Sequence, residues 1–140
     1  MKKALVTLGC TLISMISISQ TLQKGNLIGL HYFTPKLKDG VTMQDYTNFI
    51  TTKAVAAYEN AFPEIKMYLI RSLRGQDSSS LGIIYMFKTE ADRNKYFGYS
   101  GQLTELGKAA VAKLNDIGKE FEKYEVSSNE PDKYNDWLVQ

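Results

Sequence analysis

The sequence predicts a small α+β domain of order β-α-β-β-α-β. Three observations carry this reading. Four short runs have strand character, two helical stretches open on capping threonines, and the first three strands are apolar on both faces. No internal repeat or low-complexity linker divides the chain.

Residues 20–26 form a short polar lead-in. Residues 27–34 (LIGLHYFT) read as the first strand, apolar or aromatic at nearly every position. Pro35 and Asp39-Gly40 break the chain. Thr42 opens the first helix, with Asp45 three residues on in a capping-box-like start. Met43, Tyr46, Ile50, Ala54, Ala57 and Ala61 recur at spacings of three or four and mark one buried stripe, which Pro63 ends. Residues 65–73 (IKMYLIRSL) read as the second strand, with Ile65, Met67, Leu69 and Leu73 on one face. A polar loop over 75–80 joins it to the third strand, 81–87 (LGIIYMF), so these two form an antiparallel hairpin. Thr89 repeats the cap, with Asp92 three residues on, and opens a short helix over 90–97. Gly98 and Gly101 bracket a break. A long helix follows over 103–124, with Leu103, Leu106, Ala110, Leu114, Ile117, Phe121 and Tyr124 on one stripe. Its length is roughly 33 Å at 1.5 Å per residue. Residues 127–133 are a polar connection, and 134–139 (YNDWLV) the final strand.

This order is the ferredoxin-like one: a four-stranded antiparallel sheet with the helices on one face. The other sheet face is then bare in a single copy, yet it too is apolar. The simplest cover is a second copy, sheet against sheet about a twofold axis, so a homodimer is expected.

The first residues bear on the compartment. Lys2 and Lys3 precede an uncharged, mostly apolar run over 4–18, and Ser17 and Ser19 stand at −3 and −1 of a cut before Gln20. Residues 1–19 therefore read as a signal peptide and 20–140 as one domain, periplasmic or secreted. The apolar run of about 15 residues is short of the roughly 20 that a stable span needs, so no stable membrane anchor is expected. Cys10 is the single cysteine, and Thr7 stands where a lipoprotein signal has leucine. Cutting there leaves no thiol for disulfides, metal ligation or nucleophilic attack. The chain carries 17 basic and 15 acidic residues. Without Lys2 and Lys3 these balance, so there is no positive field to attract nucleic acid.

The run Gly82-Ile-Ile-Tyr-Met-Phe-Lys-Thr-Glu-Ala-Asp-Arg-Asn-Lys-Tyr-Phe97, with the element order and two-faced strands, resembles the dimeric α+β barrel superfamily. Within it the run is most similar to NIPSNAP-like and EthD-like proteins and to antibiotic-biosynthesis-type monooxygenases. The resemblance spans residues 27–139. It implies a fold and a sheet-lined cavity, but the superfamily holds cofactor-free oxygenases, haem enzymes, isomerases and members without known chemistry, so it fixes no activity.

His31, the single histidine, sits mid-strand as a candidate base or haem ligand, or as a residue hydrogen-bonded at the dimer interface or in the core. One imidazole and no thiolate exclude a zinc site, and no cofactor is assigned. Arg71 follows Ile65, Met67 and Leu69 on one face, and is expected to be partly buried against a carboxylate or an anionic ligand. Arg93 has a position that the resemblance ties to packing or a salt bridge at the sheet end, or to a ligand. Tyr85, with Tyr32 and Tyr68, is placed to line an amphipathic pocket or simply to fill a sheet. Trp137, the sole tryptophan, reads as an interface or core anchor. Some oxygenases of the superfamily hold an electron-rich aromatic substrate with Trp, Asn and an acid or His, but no Asn lies in this first strand. There is no phosphate-binding loop and no readable Ser-His-Asp set.

Two readings stay open. In the first, the protein is a small-molecule-binding or oxygenase-like barrel for an apolar or aromatic ligand, with His31, Arg71, Tyr85 and Trp137 around the cavity. In the second, it is a non-enzymatic homodimeric module in which those residues only pack.

Overall fold

The computed structural model describes residues 21–75, 78, 80–126 and 133–140. Residues 1–19, read above as a signal peptide, and 127–132 of the connection lie outside them. Four strands, β1 (Leu27–Phe33), β2 (Ile65–Arg71), β3 (Leu81–Phe87) and β4 (Lys133–Leu138), form one antiparallel sheet in the order β2-β3-β1-β4. With the helices between β1 and β2 and between β3 and β4, this is the expected ferredoxin-like topology.

The register sorts the sheet into two faces, because directly opposed residues share a face. Leu27, Gly29, His31 and Phe33 lie with Phe87, Tyr85, Ile83 and Leu81, with Ile65, Met67 and Leu69, and with Tyr134, Asp136 and Leu138. Several of these join Tyr46, Phe49, Ile50 and Ala54 of the first helical unit in the buried core, so this is the helix-facing side. Ile28, Leu30, Tyr32, Tyr68, Ile70, Ile84, Met86 and Trp137 share the opposite face.

The helix after β1 starts as expected. Thr42 accepts from the Asp45 N–H at 3.1 Å, and the Asp45 carboxylate accepts from the Thr42 N–H at 3.1 Å, closing a full capping box. The helix is not uniform: α1 (Met43–Phe49) passes through a π-helical turn (Ile50–Ala54) into α2 (Val55–Ala61). The sequence explains the wider turn. Tyr46, Ile50, Ala54, Tyr58 and Phe62 recur every four residues, whereas an α-helix repeats every 3.6. A π turn takes up that excess and keeps all five on the sheet side. Thr51 and Thr52 also bond back to the carbonyls of Thr47 and Asn48. Ala57 packs against the core as expected, and Tyr58 joins it there.

The long helix expected over 103–124 is two helices. α4 (Glu105–Ala112) and α5 (Asn115–Phe121) meet at a tightened turn, where Lys113 and Leu114 donate to the carbonyls of Ala110 and Val111. Leu106, expected on the buried stripe, is half exposed. α4 instead presses Gly107 and Ala110 inward, which turns Leu106 to the outside. The short helix α3 (Glu90–Asn94) keeps its Thr89 cap, accepting from the Asp92 N–H at 3.1 Å. Thr104 does the same for α4 through the Gly107 N–H. Among the described residues no helix is long and apolar enough to cross a membrane.

A cleft between the sheet and the helices

α2 packs directly on β2, and residues of α4 and α5 face the sheet across an open space. The space left is a cleft of about 910 Å³, within the range of small-molecule sites. Eight of its lining side chains are Phe or Tyr: Tyr58, Phe62, Tyr85, Phe87, Phe97, Tyr99, Phe121 and Tyr134. Leu114 and Ile117 close the helix side. Gly118 of α5 also borders the cleft, and no atom lies within 4 Å of where its Cβ would stand.

The rings are ordered by mutual contact. Tyr58 lies 6.0 Å from Tyr85, and Phe62 stacks on Phe97 at 6.0 Å with the planes 12° apart. Burial raises the Tyr58 pKa, which keeps its hydroxyl a donor. His31 borders the cleft from β1, half buried, with its ring 5.3 Å from Phe33.

One wall is polar. Arg93, 7% exposed, reaches from α3 to β4 and pairs with Asp136 at 3.0 Å. The same guanidinium donates to the carbonyls of Phe97 at 2.9 Å and Gly98 at 2.7 Å. It therefore ties the last strand to the turn at the cleft mouth. That turn, with Tyr99, Ser100 and Gly101, needs glycine at 101, where φ is +82°. Tyr134 donates to the other Asp136 oxygen at 2.8 Å, and its pKa is raised by burial and by that carboxylate. Tyr134 lies over Gly29, where a Cβ would stand 2.1 Å from its hydroxyl. Glycine in β1 thus makes room for a tyrosine from β4.

The structure brings His31, Tyr85 and Arg93 to one cleft and leaves two expected residues outside it. Arg71 is exposed, contrary to the expected partial burial, because it ends an edge strand and borders a separate hollow beside Met43 and Leu81. Trp137 is 58% exposed on the opposite sheet face, paired in register with Ile28. Tyr32 and Tyr68 lie on that face as well. Tyr58 and Tyr134 are cleft residues that the sequence reading did not single out, and Asp136 holds Arg93 and Tyr134 from outside the lining. The four-residue spacing that ends in Tyr58 and Phe62 was the available signal for the first. Among the described residues no three of His, Cys, Asp and Glu stand together as a metal set.

No protein-family model and no curated protein matches the chain. Among solved structures it is similar to a dimeric protein of unknown function with a ferredoxin-like fold from Bacteroides fragilis, at 14% identity over 83% of this chain and 98% of the other, TM-score 0.42. It is similar to a NIPSNAP family protein of unknown function from Agrobacterium tumefaciens, at 15% identity over 84% of this chain and 93% of the other, TM-score 0.48. It is also similar to a dimeric ferredoxin-like protein of unknown function from Thermobifida fusca, at 14% identity over 85% and 95%, TM-score 0.43. The likeness is one of chain course and assigns no chemistry to this chain.

Proposed function

We propose that this is an exported, homodimeric protein that binds a small apolar or aromatic molecule in the cleft between sheet and helices. The observation that carries the reading is the aromatic lining of a cleft large enough for such a molecule, with a few polar groups at its wall.

Biphenyl is a suitable probe, and Val111→Trp a suitable block. Val111 is exposed at the cleft wall, so an indole there fills the opening without entering the core. Equilibrium dialysis is expected to show biphenyl bound by the wild type and at least tenfold weaker binding by the variant, at unchanged melting temperature. Absence of binding by the wild type would end this reading.

The homodimer is supported by the face that the helices leave bare. Tyr68, Ile70 and Trp137 are 43%, 42% and 58% exposed there, beside Ile28, Leu30, Tyr32 and Ile84. A monomer seldom leaves so continuous an apolar surface in water, and a twofold axis sets the patch on itself. Ile84→Asp, at the centre of this face, is expected to shift sedimentation from dimer to monomer. A wild type that sediments as a monomer at high micromolar concentration would contradict it.

A second, catalytic reading takes His31, which borders the cleft, as the base that receives a proton from a phenolic ligand. In a cofactor-independent oxygenase the resulting phenolate is the electron-rich species that meets dioxygen. The expected result is oxygen uptake with an electron-rich phenol, at least 100-fold slower in His31→Ala. No uptake by the wild type leaves a binding protein without this chemistry.

A further inference from the structure

A second chamber of about 400 Å³ lies beside the cleft. His31, Tyr58, Tyr85 and Phe121 border both chambers. Residues 36–38 close the far end by pairing with 124–126: Lys38 donates to the Tyr124 carbonyl at 2.9 Å, and Val126 to that of Lys36 at 2.7 Å.

The two chambers differ in chemistry. The larger one is walled mainly by rings and aliphatic side chains, the smaller one also by Thr34, Lys36 and Glu125. Tyr46, 1% exposed, donates to Glu125 Oε2 at 2.6 Å and fixes that carboxylate at the chamber wall. Burial, then the Glu125 carboxylate, push the Tyr46 pKa well above its ordinary value, so it stays a donor. A carboxylate accepts about four hydrogen bonds, so the tyrosine bond leaves acceptor capacity at Glu125. Lys36, which is exposed, borders the same chamber. An anionic head would face the Glu125 carboxylate, whereas a hydroxyl donates to it.

We propose that the smaller chamber is a head-group subsite, and that the ligand is an elongated aromatic molecule ending in a neutral hydroxyl, laid across both chambers with the hydroxyl at Glu125. This rests on the ligand-binding reading of the larger cleft and deepens it.

The test compares 4-hydroxybiphenyl with biphenyl by equilibrium dialysis against the full chain, expressed in a host that exports it. In a purely apolar site the hydroxyl weakens binding, because it loses its water without a partner. With the subsite present it strengthens binding by roughly ten- to a hundredfold, the worth of a hydrogen bond to a charged group. Glu125→Leu is expected to abolish the advantage of 4-hydroxybiphenyl while biphenyl still binds. Equal binding of the two compounds by the wild type overturns the subsite and leaves the cleft reading intact, and that comparison needs no variant to fold. A hydroxyl advantage that persists in Glu125→Leu and vanishes in Asp136→Asn places the head at the other wall and also overturns the proposal. Binding of neither compound removes the cleft reading and the subsite with it.

Discussion

Replacing Arg93 with methionine is expected to lower folding stability by about 3 kcal/mol, the lower end for breaking a buried ion pair from one side. The side chain is 7% exposed, and its guanidinium holds Asp136 and the carbonyls of Phe97 and Gly98 at once. Methionine fills the same length but removes the ion pair to Asp136 and the guanidinium's bonds to both carbonyls, while Asp136 keeps the Tyr134 hydroxyl and the Gly98 carbonyl keeps the Gly101 N–H. Asp136 keeps 30% of its side chain in water, which moderates the loss. Lysine is expected to recover little, since an ammonium cannot span a carboxylate and two carbonyls as a planar fork does. Urea denaturation of Arg93→Met, Arg93→Lys and wild type measures this. A loss below about 1 kcal/mol, the range of ordinary surface changes, would show that the bridge is dispensable.

Gly107→Ala is expected to cost about 2–3 kcal/mol, in the range for overpacking a tight contact. The sign is the informative part. Alanine in place of glycine inside a helix ordinarily stabilises by about 1 kcal/mol. Here a Cβ would stand 2.2 Å from the backbone carbonyl oxygen of Tyr96. That carbonyl is held by the Thr104 N–H at 2.9 Å and has no rotamer by which to yield. The variant would push α4 off the turn after α3, widening the cleft mouth. Thermal denaturation is expected to show a lower melting temperature; a rise would mean that α4 does not approach Tyr96 so closely.

The element order was legible because each element carries its own local signal. Thr42 with Asp45 and Thr89 with Asp92 announce helix starts, Pro63 announces a stop, and the doubly apolar strands announce a sheet whose second face is also sticky. The site was only partly legible. His31, Tyr85 and Arg93 reach the cleft, but Arg71 and Trp137 do not, and the reason is register. Local spacing put Arg71 on the helix-facing side correctly. Whether the helices extend over the end of edge strand β2 is a property of the packed sheet, and they leave Arg71 in water. Trp137 opposes Ile28, which fixes its face, and that pairing joins residues more than a hundred positions apart. Tyr58 was hidden because Ala57 and Tyr58 both fall at helical spacing from Ala54, and both pack against the core. The break between α4 and α5 leaves no gap in the apolar spacing, since Ala110, Leu114 and Ile117 continue across it.

The central claim, that the cleft and not the bare sheet face takes the ligand, is tested most directly by a methyl NMR titration with 4-hydroxybiphenyl. Ile, Leu and Val methyls report on both surfaces. The account predicts shifts concentrated at Ile65, Val111, Leu114 and Ile117, which line the cleft. Shifts concentrated instead at Ile28, Leu30, Ile70 and Ile84, on the opposite face of the sheet, would contradict it.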